Sequence, residues 1–267
     1  MDDFWLIKID NVSKVFKGRG MFRNEPEVKA LDNVSLTVKK GEVLGIIGES
    51  GSGKTTLGKL ILGLLKPTSG NISFADINNN STENRKPLVQ VIFQDPYDSL
   101  SHMMTVEQLV AEPCIINNGK NVDRNRIIRA LESVGLTPVE SFLRKYPHTL
   151  SGGQRQRVAI ARAMISEPDM IIADEPISML DASIGVDILN LMLDMKERTG
   201  ITFLFITHDI AAAAYISDNI AVMKEGKIVE YGSRKQIISD CCHEYTKSLL
   251  LSATGAGTEN EYFCSEF

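Results

Sequence analysis

Cysteine is scarce in this chain. Four occur in 267 residues: Cys114, the adjacent Cys241 and Cys242, and Cys264. None has the paired spacing of a zinc site, so reduced thiols without a catalytic role are expected. Long apolar runs are also missing. None reaches the roughly 18–20 residues that a membrane span needs. Met1–Asp10 lacks the basic-then-apolar order of a secretory signal. The expectation is a soluble, cytoplasmic chain. Positive charge is not in excess: 29 Lys and Arg stand against 34 Asp and Glu, a net charge of −5. That balance argues against nucleic-acid binding by bulk electrostatics, although a local basic patch stays open. Internal repeats and long linkers are absent as well, and the length allows one large domain or a core domain with a subdomain. What remains is 43% hydrophobic and 24% charged, which implies a sizeable buried core.

Periodicity supplies the outline. Trp5–Asp10, Val34–Val38 and Val43–Ile47 read as strands. Lys54–Leu65 carries apolar residues at Leu57, Leu60, Ile61, Leu64 and Leu65, a helical spacing stopped by Pro67 and Gly70. Asn71–Ala75 and Val89–Phe93 read as further strands, with a polar, Asn-rich loop at Asp76–Lys86. From Pro96 to Ile165 the pattern turns helical, with Val106–Ala111, Arg124–Val134 and Gln154–Met164 as helices. Strand–helix alternation then returns in Met170–Ala173, Ala182–Arg198, Ile201–Ile206 and Asn219–Met223. A hairpin turn is expected at Glu225-Gly226. The order predicts an α/β core with a mostly parallel sheet, interrupted by a helical insertion.

Gly48-Glu49-Ser50-Gly51-Ser52-Gly53-Lys54-Thr55 fits G-x-x-x-x-G-K-[ST], between an expected strand and an expected helix. Glycines let the backbone curl so that successive N–H groups converge on an anion, and the positive helix end reinforces that field. In such a loop Lys54 bridges the β- and γ-phosphate oxygens and the Thr55 hydroxyl ligates Mg²⁺. Met170–Ala173 leads into Asp174 and Glu175. Parallel strands bind ligands beyond their carboxyl ends, so these acids suit metal binding and orientation of an attacking water. His208 follows Ile201–Ile206 at the same kind of edge. On spacing alone it is either a structural histidine or a group facing the γ-phosphate.

Leu150-Ser151-Gly152-Gly153-Gln154 precedes an Arg-rich helix with Arg155, Arg157 and Arg162. By residue usage, such a run arises by chance in roughly one chain in a few thousand. Glycines and Ser at a helix start make a second anion site. One ATP does not need two such sites in one subunit, but a head-to-tail dimer does.

With these motifs the chain resembles the ABC transporter ATPases over about residues 5–252. The resemblance implies a P-loop NTPase (RecA-like) α/β core with a mostly parallel sheet, an N-terminal antiparallel β subdomain and an inserted α-helical subdomain. It places the core at residues 1–95 and 166–254 and the helical subdomain at 96–165, while composition predicts a flexible tail at 255–267. The cofactors it implies are ATP and Mg²⁺. Phe16 matches the aromatic that stacks on adenine. Gly48, Glu49, Ser50, Gly51, Ser52, Gly53, Lys54, Thr55 and Thr56 match the phosphate loop. Ser151, Gly152, Gly153 and Gln154 match the signature that closes the partner's nucleotide site. Thr55, Gln94 and Asp174 match the metal ligands, and Glu175, Gln94 and His208 the catalytic groups. Asp181 matches the acid that communicates across the dimer. The family shows Thr or Val and then Ala where this chain has Ile177 and Met179, which implies altered dimer contacts. Ser178 and Asp181 keep the pattern.

A finer likeness lies in Phe93–Leu100, Tyr146–Leu150 and His243–Leu250. These resemble the oligopeptide, dipeptide and nickel importer branch, and Tyr97 resembles the second ATPase subunit of such systems. The branch shows Leu-Asn-Pro after its Ser where this chain has Ser101-His102-Met103, a segment that the family places beside the membrane subunit. The implied partners are integral-membrane permease subunits, a second ABC ATPase subunit in a homo- or heterodimer, and an extracellular solute-binding protein. No nucleic acid is expected. The implied place is peripheral, at the cytoplasmic face of the cell membrane. The cargo stays open among peptides, nickel or another metal chelate, and saccharides. Two other readings also stand: a soluble ABC-type ATPase of DNA repair or translation, and a nucleotide switch with little turnover. The absence of a long coiled-coil insertion or zinc module weighs against the first. The full set Gln94, Glu175 and His208 weighs against the second.

Overall fold

The computed structural model describes residues 5–17, 27–76, 85–95, 99–118 and 122–254. Tyr97, the center of the polar loop 77–84, Cys264 and the tail 255–267 lie outside the described residues. The strands in chain order are β1 (Trp5–Phe16), β2 (Val28–Lys39), β3 (Val43–Ile47), β4 (Ser69–Phe74), β5 (Val89–Ile92), β6 (Met170–Asp174), β7 (Thr202–Thr207), β8 (Asn219–Lys224) and β9 (Lys227–Ser233). Contacts divide the chain into two compact units, residues 1–87 with 202–267, and residues 88–201.

The first unit contains two kinds of sheet, and burial separates them. β1 is the middle strand of an antiparallel trio ordered β2-β1-β4. In β2, Val34, Leu36 and Val38 are buried while Asn33, Ser35, Thr37 and Lys39 are exposed. That strict alternation marks a sheet with one face on a core and the other in water. β3 is buried at every position, and so is β7. A strand covered on both faces reads as a continuous apolar run, the mark of a parallel sheet. β3 pairs in parallel with β7 (Val43 opposite Phe203) and with β8 (Leu44 opposite Asn219). β9 returns antiparallel to β8 through Glu225 and Gly226. Both turn residues have positive φ, 47° and 77°, as a two-residue hairpin turn matched to strand twist requires.

In the second unit β5 and β6 pair in parallel, with Val89 opposite Met170 and Ile92 opposite Ala173. Every regular element described between residues 96 and 165 is helical: Val106–Asn118, Arg124–Ser133, Glu140–Leu143, the 3₁₀ turn Pro147–Thr149 and Gly152–Met164. Helix Ala182–Thr199 follows β6 and ends at Gly200, whose φ of 67° closes the last turn.

Several boundaries differ from the periodicity reading. β1 runs six residues past Asp10, because bulges and a left-handed Asn11 (φ 50°) break the alternation that would have revealed it. The first helix stops at Ile61 rather than Leu65. Gly63 adopts φ 74° and the N–H groups of Gly63 and Leu64 fold back to Leu60 and Lys59, which terminates the helix before Leu64. Helix Val106–Asn118 continues through Pro113, where the sequence suggested a stop at Ala111. Helices Ile210–Ile216 and Arg234–Ser239 were not anticipated. Each spans only about two turns, too short for a clear 3.6-residue period. No described helix is long and apolar enough to cross a membrane.

The segment before helix Glu244–Thr254 is held by Glu230. Its carboxylate accepts from the backbone N–H of Cys242 (2.7 Å) and of His243 (3.4 Å). Burial pulls the Glu230 pKa up, but the neighboring Thr246 hydroxyl, these two N–H groups and the His243 charge together bring it below 4.5. A carboxylate with a depressed folded pKa stabilizes at pH above its unfolded value and loses that contribution as pH falls through the folded value. Glu230→Gln therefore lowers stability at neutral pH by about 1 kcal/mol, a figure that allows for partial exposure. Denaturant titrations should show the gap from wild type shrinking as pH drops below 4.5.

Candidate functional site

The phosphate loop leaves the buried end of β3 and enters helix Lys54–Ile61 within a few residues. Three glycines make that possible. Gly48, Gly51 and Gly53 have φ of 153°, 82° and 104°, where side-chain-bearing residues are strained. Space matters at two of them. A Cβ on Gly48 would lie 2.1 Å from the Met223 carbonyl oxygen, and one on Gly53 2.5 Å from that of Ala30. The loop is thus wedged between the end of β8 and the start of β2. The β8–β9 hairpin clamps it further: the Gly226 N–H donates to the Ser52 carbonyl at 3.0 Å, and the Asp32 N–H donates to the Gly226 carbonyl at 2.8 Å.

Lys54 is 5% exposed, and its Nζ donates to the carbonyls of Gly48 (2.6 Å) and Glu49 (2.8 Å). A buried ammonium needs such partners, and phosphate oxygens can take their place. No side chain caps the helix at Gly53, and no acid lies in its first turn. Its first N–H groups and the positive helix end therefore suit an anion. Thr55 is exposed and Thr56 half-buried at that end, while Glu49 and Ser50 line the exposed part of the loop.

Phe16 ends β1 and is 39% exposed, with Lys14 Nζ 5.2 Å from its ring center. It pairs with Val28, two residues before the Ala30 carbonyl that bounds Gly53. Pairing register thus brings this aromatic near the helix end of the loop. His208 is exposed directly beyond β7. Asp209 then caps the next helix, accepting from the N–H groups of Ala211 (2.8 Å) and Ala212 (3.1 Å). The β3–β7 register ends with Ile47 opposite Thr207, so His208 and the start of the phosphate loop leave neighboring strands side by side.

The second unit holds the remaining residues. β5 and β6 run in register to Ile92 and Ala173, so Gln94 and Glu175 each stand two residues beyond a matched pair. Neighboring strands lie about 4.8 Å apart, so the amide and the carboxylate leave the same edge. Asp174 closes β6, half-buried. Glu175 has φ 51°, uncommon for a residue with a side chain and concentrated at functional sites. Its carbonyl accepts from the Ser178 N–H (3.3 Å) and Oγ (3.1 Å).

Ser151 and Gln154 serve local structure first. Ser151 Oγ accepts from the Gln154 N–H at 3.3 Å, and Gln154 Oε1 accepts from the Ser151 N–H at 3.1 Å. This capping box starts helix Gly152–Met164. Gly152 and Gly153 sit beside residues flanking Asp181: a Cβ would lie 3.3 Å from Leu180 at the first and 2.7 Å from Ile184 at the second. Asp181 is the exposed N-cap residue of helix Ala182–Thr199 and makes no side-chain cap bond. Ile177 packs beside Gly185, whereas Met179 is 63% exposed. The arginines of the signature helix are engaged within their own unit. Arg155 donates to the carbonyls of Leu150 and Pro147, Arg157 to that of Val134, and Arg162 to Ser99 and Glu112.

One residue beside the loop was not anticipated as a site residue. The Tyr245 hydroxyl accepts from the Glu49 N–H at 3.0 Å. Its sequence signal was its place in His243–Leu250, where helical spacing alone explains an apolar Tyr.

The family model for ABC transporters matches residues 31–178. The dipeptide transport ATP-binding protein DppF of Haemophilus influenzae is 41% identical, covering 88% of this chain and 73% of the relative. The oligopeptide transport ATP-binding protein AppF of Bacillus subtilis is 44% identical, covering 92% and 78%. Among solved structures, the dimeric post-hydrolysis ATP-binding cassette MJ0796 bound to ADP and Pi superposes with TM-score 0.73 at 33% identity, covering 86% of this chain and 99% of that one. The cbiO1 component of the cbiONQ ABC transporter complex of Clostridium perfringens gives TM-score 0.72 at 31% identity, covering 89% and 92%.

Gly53→Ala combines a left-handed backbone with a 2.5 Å approach. It should lower stability by more than about 1 kcal/mol, seen as a lower urea midpoint. Ser151→Ala removes half of the capping box and should cost about 1 kcal/mol in the same assay.

Proposed function

Because this chain belongs to the ABC transporter family and is an ATP-binding, ATP-hydrolyzing subunit of that family, we propose that it drives peptide import. The observation that carries the cargo class is the set of relatives named for oligopeptide or dipeptide transport, at 41–45% identity over most of this chain. Peptide is therefore preferred over nickel, another metal chelate or saccharide.

In this reading Phe16 stacks on adenine, and the loop Gly48–Thr56 holds the phosphates through Lys54 and backbone N–H groups at the start of its helix. Thr55, Gln94 and Asp174 offer a hydroxyl, an amide oxygen and a carboxylate, hard oxygen donors that suit Mg²⁺. The ion supplies charge neutralization on the phosphate oxygens when bound. Glu175 polarizes the attacking water, Gln94 helps to orient it, and His208 faces the γ-phosphate. Phosphoryl transfer needs chiefly positioning and electrostatic stabilization, so these few groups suffice. Ser151, Gly152, Gly153 and Gln154 close the nucleotide site of a second ATPase subunit, and Asp181 communicates across that interface. ATP then favors the closed dimer by its higher affinity for it, and hydrolysis reopens the pair.

The helical subdomain at residues 96–165 passes this movement to permease subunits at the cytoplasmic membrane face, and a solute-binding protein delivers the cargo outside. A cavity of about 240 Å³ in the second unit supports the permease contact. Phe93, Pro113 and Ile116 are among its lining residues. Phe93 and Ile116 are 40% and 73% exposed, and so is Met103, at 88%. Apolar side chains exposed next to Gln94 suit an apolar partner segment.

Glu175→Gln should slow ATP turnover in the assembled transporter by roughly 10²–10⁴-fold while ATP still binds; wild-type turnover would remove Glu175 from the water-activating role. Deleting the gene should abolish uptake of labeled di- and oligopeptides. Intact peptide uptake with loss of nickel or saccharide uptake would refute the cargo assignment.

A further inference from the structure

We propose that Tyr245 is a positioning residue of the nucleotide site, through which the C-terminal helix holds the phosphate loop in its binding shape. This proposal rests on the reading of Gly48–Thr56 as the ATP phosphate site.

The contact falls on one peptide unit. The Glu49 N–H donates to the Tyr245 hydroxyl at 3.0 Å. At its other end, the Glu49 carbonyl accepts from Lys54 Nζ at 2.8 Å and from the Ser52 N–H at 3.2 Å. Glu49 is therefore tied at both ends, and the two ties differ in kind. Lys54 is the group that phosphate oxygens draw away when nucleotide enters. The Tyr245 tie takes up the Glu49 N–H alone and leaves Lys54 and the later N–H groups of the loop to the nucleotide. It keeps the first turn of the loop in place while Lys54 changes partners.

The tyrosine is itself well anchored. It is 7% exposed. Its ring packs in a core cluster with Ile47, the residue immediately before the loop, and with Ile210, Val222 and Ile237. Lys224 Nζ lies 4.8 Å from the ring center, a favorable cation–aromatic contact. Burial pushes its pKa above 10, which keeps the phenol neutral. Its backbone N–H donates to His243 Nδ1 at 3.1 Å, and Glu230 holds the N–H groups of Cys242 and His243. Packing alone would be met by phenylalanine. The hydroxyl is explained by its bond to the loop.

Without that hydroxyl the Glu49 N–H loses its partner, and the loop spends less time in the shape that receives phosphate. Apparent affinity falls in proportion to the competent fraction. For a half-buried donor left unpaired, about five- to tenfold weaker binding is expected.

The test uses the full-length chain with fluorescently labeled ATP and ADP, and hydrogen exchange read at the Glu49 amide. In wild type, the Glu49 amide should exchange more slowly than that of Gly51. Tyr245→Phe should erase that difference, weaken both nucleotides about five- to tenfold, and raise KM for ATP more than it lowers kcat. Equal exchange at Glu49 and Gly51 in wild type overturns the proposal without any variant. So does a folded Tyr245→Phe with wild-type nucleotide affinity, even if its thermal stability drops, because that is the result of a merely structural tyrosine. Lys54→Ala separates the two readings. If it binds ATP as tightly as wild type, the phosphate-loop assignment fails and this proposal falls with it. If it loses ATP while Tyr245→Phe does not, only the role of Tyr245 is refuted.

Discussion

The carbonyl oxygens of Ala30 and Met223 limit what the phosphate loop can be. They stand where side chains at Gly53 and Gly48 would project. Between them the chain must turn from a strand buried on both faces into a helix whose N-terminus stays uncapped. Glycine satisfies both the left-handed dihedrals and the close approach. The hairpin at Glu225-Gly226 adds a third wall, since its N–H holds the Ser52 carbonyl. The loop's shape is therefore set by β2, β8 and the turn that follows β8, all outside the loop itself. In the proposed site, that confinement lets the loop hold phosphate at low reorganization cost.

Residues in the second unit carry local and functional duties together. Ser151 and Gln154 cap their own helix, yet the same helix start presents the N–H groups of two glycines. Those glycines are also what lets the helix sit close to Leu180 and Ile184, on either side of Asp181. A change in signature geometry is thereby felt at the start of helix Ala182–Thr199 by direct contact. Glu175 is similar. Its left-handed backbone turns the chain directly after Asp174, and Ser178 secures the bend through the Glu175 carbonyl. In the proposed mechanism, adjacent acids take different roles because the backbone turns between them.

Much of this was legible in the linear sequence because it is local. Val43–Ile47 is a strand by its unbroken apolar run, Gly48–Thr55 a phosphate loop by glycine spacing, and Glu225-Gly226 a hairpin by composition. Asp174, Glu175, Gln94 and His208 fall at strand ends because each directly follows an apolar run. Local patterns failed where dihedrals break periodicity without changing composition. Asn11 hides the second half of β1, and Gly63 ends a helix whose apolar spacing continues to Leu65. Nor did spacing show what the arginines after Gln154 do: their guanidinium groups serve carbonyls and Glu112 within their own unit.

By itself, then, the sequence determined the family, the order of the strands and longer helices, and the motifs on which the proposed phosphate and acidic roles rest. Each of these depends on residues a few positions apart, where spacing and dihedral preference are enough. The tertiary structure decided which distant groups confine that chemistry. Ala30 and Met223 against the loop, Gly226 on Ser52, and Tyr245 on Glu49 are contacts between segments far apart in the chain. No periodicity encodes them, because they arise only when packing of the apolar faces brings those segments together.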